Sequence, residues 1–315
     1  MPMRKIRLKV FFFIIIISIN LSSSADSDWP YFRRSNSCDA SLKWENPAGI
    51  IIKEWQFKRD KVKNRKYSRE IPVWTSPALA VINGIPMAFA GACDQSLYAL
   101  NLADRRMQWV KTTNGNITNS PTVANFAGAS LVFFTSSDRS LYCCNASDGT
   151  VIWTKELSPP SNTAGDCEIS SPIFHSGMIY VNIFSYDKSL PRNTQRGELV
   201  IIDAIQGEIL SRTLLSNGPL ASPNIFESDG KTYAVSSTKK GLITCFAVRG
   251  RDTVQVWTYQ MPNEVLGAPC VLSSRGENIV FIGSKYGSLV ALDGKSGKEL
   301  WKYMAGNWID NSVCI

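Results

Sequence analysis

The sequence repeats one pattern with a period of 44 to 51 residues. Its copies begin at Ser76, Ser120, Ser171, Ser222, Ala268 and Ser312, and each of the first five starting residues is followed by proline. A fixed period of this size indicates a repeat architecture, because one small supersecondary unit cannot bury its own apolar faces and must pack against copies of itself. This repeat therefore constrains every further inference about the chain.

Each copy contains about four strand-sized runs separated by turn residues. In the first copy the predicted strands are Ala78–Ile82, Pro86–Gly91, Ser96–Leu102 and Met107–Thr112. Asn, Asp and Gly between short apolar runs are typical of β-hairpins, and four such strands per copy are typical of a propeller blade. The sequence predicts an all-β fold, a β-propeller of four-stranded antiparallel blades, with five complete blades and partial terminal strands.

The end of the repeat has the most regular spacing. In the last copy Ala291 is followed by Asp293, Gly297 and Trp301 at fixed intervals. Asp and Gly suit a tight turn, and a tryptophan opposite a small residue would fill the wedge between two blades. The residues expected to dock neighbouring blades in this way are Trp109, Trp153, Trp257 and Trp301. In the third copy Ser211 stands at the tryptophan position.

These motifs carry a resemblance to a known family. The segments 287–301 (GSLVALDGKSGKELW), 96–109 (SLYALNLADRRMQW) and 29–36 (WPYFRRSN) resemble the PQQ-like β-propeller repeat. This repeat occurs in quinoprotein dehydrogenases and in non-catalytic relatives such as the outer-membrane assembly factor lipoprotein of bacteria. Because such rings usually have seven or eight blades, the resemblance implies that the chain is a fragment of a longer polypeptide; terminal strands that close a thin sixth blade are the alternative.

The N-terminus has the features of a secretory signal. Four basic residues precede the apolar run Val10–Ile19, and small residues follow up to Ala25. We therefore predict a signal peptide over residues 1–25 with cleavage after Ala25, and a secreted or periplasmic protein. An uncleaved membrane anchor is the alternative, although the run is shorter than the roughly 20 residues that span a bilayer.

A basic segment lies between this signal and the repeats. Residues 26–75 form an N-terminal segment with a strand near residues 50–57 and the basic run Lys58–Arg69, and the repeats occupy residues 76–315. We interpret the run as a solvated loop, with docking to phosphates, lipid head groups or an acidic partner as the alternative. Nucleic-acid binding is not expected, because no aromatic or glycine pattern accompanies these charges.

Cysteine and histidine usage limits the possible chemistry. The chain has eight cysteines and one histidine, His175. An exported chain of this kind is expected in an oxidising compartment. The adjacent pair Cys143-Cys144 lies in a predicted strand, where successive side chains point to opposite faces, so two buried thiols are favoured over a vicinal disulfide. A single histidine in a predicted surface hairpin makes a catalytic triad or a multi-histidine metal site improbable.

The segments that lead into each first strand contain the candidate site residues. Quinone-dependent oxidation needs Ca²⁺ held by carboxylate and amide oxygens, a carboxylate base and an aromatic floor under the cofactor. The channel-mouth candidates for cofactor binding are Asn119, Glu168, Trp308 and Asp310. The same segments also contain Asn116, Asp166, Asn217, Glu264 and Asn311.

No motif transfers a catalytic or metal-ligating role to any one of these positions. Polar residues are expected in loops whatever their function. The sequence therefore favours a non-enzymatic binding or assembly scaffold that needs no cofactor and meets protein partners through its propeller loops. The alternative is a quinoprotein alcohol or sugar dehydrogenase that binds PQQ and Ca²⁺.

Overall fold

The structure consists of antiparallel β-sheets. It is a computed structural model that describes residues 73–157, 164–187, 194–216, 218–219, 221–309 and 312. All the regular secondary structure in these ranges is β-strand, and the strands form five sheets. Within these ranges, no helix is long and apolar enough to cross a bilayer. The predicted signal peptide, the basic run and the strand near residues 50–57 lie outside the described residues.

Each repeat of the sequence forms one sheet. The first sheet contains β1 (Ala78–Ile82), β2 (Ile85–Ala92), β3 (Ser96–Asn101) and β4 (Arg106–Thr112). The second contains β5 (Thr122–Phe126), β6 (Ala129–Ser136), β7 (Ser140–Asn145) and β8 (Val151–Glu156). The third contains β9 (Ala164–Ile169), β10 (Ile173–His175), β11 (Met178–Asp187), β12 (Thr194–Asp203) and β13 (Ile209–Leu215). The fourth contains β14 (Asn224–Ser228), β15 (Lys231–Ser237), β16 (Leu242–Arg249) and β17 (Asp252–Gln260). The fifth contains β18 (Cys270–Ser274), β19 (Glu277–Gly283), β20 (Ser288–Asp293) and β21 (Glu299–Met304).

Four of these sheets have four strands in the order of the sequence, and the third has one strand more than predicted. The extra strand β9 lies in a segment that the sequence indicated to be a connection. It pairs with the part of β11 beyond β10, between Ile183 and Asp187. Because β11 has ten residues and β10 only three, the rest of β11 offers free backbone groups, and β9 satisfies them.

The sheets are arranged radially as blades. The first strands of successive sheets contact one another, namely β1 with β5, β5 with β10, β10 with β14 and β14 with β18. Continuous apolar clusters fill the space between neighbouring sheets; one of them joins Phe89 of the first to Val132 of the second. This packing of β-sheets around their inner strands confirms the predicted all-β propeller.

Tight turns join the first two strands of every blade. The five turns are Asn83-Gly84, Ala127-Gly128, Ser176-Gly177, Asp229-Gly230 and Arg275-Gly276. In each, the first residue has φ between 49° and 52° and the glycine has φ between 69° and 82°. Two successive positive φ values define the type I′ turn, whose twist matches that of the flanking strands. We call the end of the molecule with these turns the turn end, and the opposite end the loop end.

The tryptophans of the repeat stand opposite small residues, and a β-bulge follows each pair. The cross-strand pairs are Ala99–Trp109, Cys143–Trp153, Cys245–Trp257 and Ala291–Trp301. In the third blade the sizes are reversed, because Ile201 is paired with Ser211. The bulge adds one residue to the outer strand next to each tryptophan and lets the ring turn towards the next blade.

Three of these rings pack on a turn glycine of the following blade. A Cβ added at Gly149, Gly207 or Gly297 would lie 2.7, 2.6 or 2.5 Å from the ring of Trp109, Trp153 or Trp257, respectively. The three indole N–H groups donate to the carbonyl oxygens of Ala146, Ala204 and Gly294 at 3.0, 3.1 and 2.8 Å. Trp301 of the fifth blade exposes 44% of its surface and contacts Phe281 of its own blade, with ring centroids 5.8 Å apart.

Candidate functional site

The loop end is built from two kinds of segment that lie side by side. The hairpin between the second and third strands of a blade is joined by backbone hydrogen bonds to the segment that leads into the next blade. Examples are Ile117 N to Ala92 O at 3.1 Å and Val265 N to Lys239 O at 3.2 Å. Because backbone groups pair directly, each connecting segment has a fixed position against its hairpin.

The residues that begin successive copies of the repeat form hydrogen bonds between several neighbouring blades. The backbone N–H of Ser76 donates to Ser120 Oγ at 2.9 Å, and that of Ser120 donates to Ser171 Oγ at 3.0 Å. Ala268 N donates in the same way to Ser312 Oγ at 2.7 Å. Sequence reasoning used these serines only as repeat markers, although their constant place at the start of each copy was the signal of a shared contact.

Two carboxylates, the buried Asp94 and the half-buried Asp138, hold loop-end hairpins. Asp94 accepts hydrogen bonds from the backbone N–H of Ser96 at 3.1 Å and from the hydroxyl of Tyr98 at 2.5 Å. Asp138 accepts the hydroxyl of Tyr142 at 2.6 Å in the second blade. Burial raises the pKa of Tyr142, and the hydrogen bond to Asp138 raises it further. These carboxylates therefore brace the hairpins of their own blades.

Asn119 and Glu168 both lie at the joint between the second and third blades. The amide nitrogen of Asn119 donates a hydrogen bond to the backbone carbonyl of Ile169, the residue that follows Glu168. Glu168 lies on β9 opposite Phe184 and is exposed. The Asn119 amide group thus fixes β9 to the preceding connection.

Trp308 lies at the loop end of the fifth blade with a lysine beside it. The Nζ atom of Lys285 is 5.5 Å from the centroid of the Trp308 ring and 3.1 Å from the carboxylate of Glu264. Lys285 N also donates to Glu264 O at 2.8 Å. Trp308 exposes 59% of its surface, so an aromatic ring and a paired cation face solvent together. Asp310, Asn217 and Asn311 lie outside the described residues, as does the side chain of Asp166.

The carboxylates and amides that the structure describes at the loop end form contacts within the scaffold. In the part of the chain that the structure describes, no three His, Cys, Asp or Glu side chains come close enough to hold a metal. The carboxylates of Asp94, Asp138 and Glu264 bond within the scaffold. Asn119 and Trp308 belong to different joints.

The adjacent cysteines lie in two different cores, as the alternation of a strand requires. Cys143 packs between the second and third blades, whereas Cys144 packs between the first and second. Both are fully buried thiols. Burial raises the pKa of both, that of Cys144 to about 11. This arrangement confirms two small buried residues at Cys143 and Cys144 and excludes a vicinal disulfide in this fold.

The single histidine lies at the turn end, away from the candidate site. His175 ends β10, and its Nε2 atom is 2.9 Å from a carboxylate oxygen of Glu227 in the fourth blade. His175 thus links the third and fourth blades, the joint at which Ser211 replaces the tryptophan.

The comparisons with solved structures agree with this architecture. The chain is similar to quinohemoprotein alcohol dehydrogenase from Comamonas testosteroni, with a TM-score of 0.60 and 14% identity, over 88% of this chain and 49% of that one. It is similar to BBS1N in complex with ARL6DN, with a TM-score of 0.52 and 11% identity, over 74% and 69% of the two chains. BamB from Moraxella catarrhalis is matched at a TM-score of 0.45 and 11% identity, over 77% and 80%. The chain spans about half the length of the Comamonas dehydrogenase. The two likenesses with TM-scores above 0.5 show the fold alone.

The sequence comparison gives the family. No curated protein matches the chain in sequence. A family described as outer membrane protein assembly factor BamB matches residues 93–192 and 186–307, which together cover more than half of the 315 residues. The chain therefore belongs to this family of PQQ-like repeat propellers.

Proposed function

We propose that this protein is an exported, non-enzymatic propeller scaffold that binds protein partners through its loop end. The observation that carries the proposal is the use of the polar side chains at that end. Asp94, Asp138, Asn119 and Glu264 all form hydrogen bonds that hold hairpins or connections in place. Side chains used in this way hold a surface in a fixed shape, which suits the recognition of a partner.

The surface that they hold offers groups suited to protein recognition. Trp308 and Tyr286 expose 59% and 56% of their surfaces on adjoining loop-end segments of the fifth blade. Aromatic residues on a rigid support dominate the binding energy of many protein interfaces, because they bury a large area at little entropic cost. The family description, outer membrane protein assembly factor, supports a role of this kind. Export rests on the signal-like sequence up to Ala25.

Site-specific photo-crosslinking tests which end of the molecule binds. A photoreactive amino acid replaces Tyr286 at the loop end, and in a matched control it replaces Arg275, an exposed residue at the turn end of the same blade. We expect crosslinked protein adducts in the host cell envelope from position 286 and none from position 275. Adducts from position 275 alone would contradict the proposed surface.

Reconstitution with cofactor tests the enzymatic alternative. Purified protein is incubated with PQQ and Ca²⁺, desalted and assayed for dye-linked alcohol oxidation. The scaffold proposal predicts that no quinone absorbance survives desalting and that no oxidation is measured. A retained quinone band together with turnover would establish a dehydrogenase and overturn the proposal.

A further inference from the structure

The outer strand of the fourth blade differs from the other outer strands in its charge. Outer strands have one unpaired edge, and proteins usually protect such edges with lysine, arginine or proline. The other four outer strands each carry at least one basic residue: Arg106 and Lys111 in β4, Lys155 in β8, Arg212 in β13 and Lys302 in β21. In contrast, β17 (DTVQVWTYQ) contains no lysine, arginine or proline.

The same strand is also the longest of the five and presents apolar side chains. It has nine residues, whereas the other outer strands have six or seven. Val254 and Val256 expose 43% and 44% of their surfaces. In the described chain β17 ends its sheet and pairs only with β16. Its outer edge therefore presents backbone N–H and C=O groups and β-branched side chains without a basic residue or proline, and its one charged residue, Asp252, is the first of the strand.

We propose that β17 is a docking edge that binds an extended segment of a partner protein by strand addition. A row of alternating backbone donors and acceptors is complemented only by another strand. The segment that fits is uncharged at its centre and rich in valine, isoleucine or threonine, because it must lie beside the exposed Val254 and Val256. This rim surface is separate from the loop end and goes beyond the proposed function.

The size of the edge favours a flexible segment over a second copy of this chain. Nine residues at about 3.4 Å each give an edge roughly 30 Å long. Two copies of this chain that touch only along such an edge would bury well below the roughly 1,200 Å² of the smallest stable interfaces. An extended segment of a partner also needs no further surface, because its affinity comes from backbone hydrogen bonds along the strand.

A lysine substitution with a matched control tests the edge. Val256→Lys places a protecting charge on β17, and Ile152→Lys places the same charge on β8. Both residues occupy the β-bulge beside the blade tryptophan and are exposed by 44% and 48%. The probe is a fluorescent, capped nine-residue peptide of alternating valine and threonine with lysine at each end, followed by fluorescence anisotropy. We expect binding to the wild type, about tenfold weaker binding to V256K and unchanged binding to I152K.

Two further measurements decide where the peptide binds and whether a second copy takes its place. Amide hydrogen exchange should show peptide-induced protection in residues 252–260; protection confined to another strand would refute the assignment. In sedimentation, the wild type alone should form no dimer that the V256K substitution abolishes. Such a dimer would identify a second copy of this chain as the occupant of the edge and would overturn the proposal. Equal peptide affinity for V256K and I152K, or no affinity for the wild type, would also overturn it. None of these outcomes depends on the crosslinking or cofactor experiments.

Discussion

The contact between a tryptophan and the turn glycine of the next blade is the feature most open to a quantitative test. Gly297 has φ +70°, and a Cβ at this position would lie 2.5 Å from Cδ2 of Trp257. Gly230 has nearly the same φ, +69°, but no atom of the described structure lies within 4 Å of its added Cβ. Substituting alanine at both positions therefore separates backbone strain from steric contact.

The expected magnitudes follow from these two effects. Left-handed backbone costs an L-residue about 1 to 2 kcal/mol, and both variants should lose that amount. Only Gly297→Ala must also displace the indole ring, and forcing extra volume into a packed site costs about 1 to 3 kcal/mol more. We expect Gly230→Ala to lower the free energy of unfolding by about 1 to 2 kcal/mol and Gly297→Ala by about 2 to 5 kcal/mol.

The assay is urea denaturation followed by tryptophan fluorescence and circular dichroism, with each free energy taken from the linear dependence on denaturant. A double-mutant cycle completes it. In a Trp257→Ala background, the additional cost of Gly297→Ala over Gly230→Ala should disappear, because the ring that the Cβ would meet has been removed. Equal losses from the two glycine substitutions, or an additional cost that persists without the indole, would refute the packing argument.

Three further predictions follow from the same contacts. Trp257→Ala should cost about 3 to 5 kcal/mol and Trp301→Ala clearly less in urea denaturation, because Trp257 exposes 7% and Trp301 44% of its surface; equal costs would contradict this. Hydrogen bonds from a nearby serine hold the pKa of Asp293 below its ordinary value. Its contribution to stability is therefore present above the unfolded-state pKa and is lost as the pH falls through the folded-state pKa. Asp293→Asn should therefore lower stability at neutral pH and flatten the acid limb of the stability profile, so that variant and wild type converge at low pH; an unaltered acid limb would contradict that. Finally, Cys143 and Cys144 should react with a thiol reagent only after unfolding, since both are buried and their pKa values are raised; rapid labelling of the native protein would refute this.

The fold could be predicted from the repeat because each copy contains two independent sequence patterns, the spacing of the copies and the positions of the turn residues. The period separates the blades, and the turn residues separate the strands within each blade. In the first blade the predicted strands differ from the observed ones by one residue at most at any end. The missing strand β9 shows the limit of this reasoning. Its pairing depends on how far β11 extends beyond β10, which is a property of the folded sheet and not of the local sequence.

The candidate site was less predictable because polar residue types do not reveal their partners. Asn119 and Glu264 have the oxygen atoms that a cation site requires, yet the structure uses Asn119 to bond the end of β9 and Glu264 to hold Lys285. These partners come from segments that are 50 and 21 residues away in the sequence. The serine contacts between blades could have been inferred, since Ser76 and Ser120 occupy the same place in consecutive copies.

The repeat also indicates where recognition can occur in this propeller. Positions fixed by the frame, such as Trp257 and Gly297, are occupied by contacts between blades and cannot serve a partner. Surfaces that differ from blade to blade are free of that constraint, and they comprise the loop end and the edges of the outer strands. At the loop end, the fifth blade has an exposed Trp308 beside Lys285. Among the outer strands, β17 differs because it contains no basic residue. The equivalent positions of the other blades provide matched controls for both features. Substitutions at equivalent positions of two blades can therefore distinguish an effect on partner binding from an effect on folding.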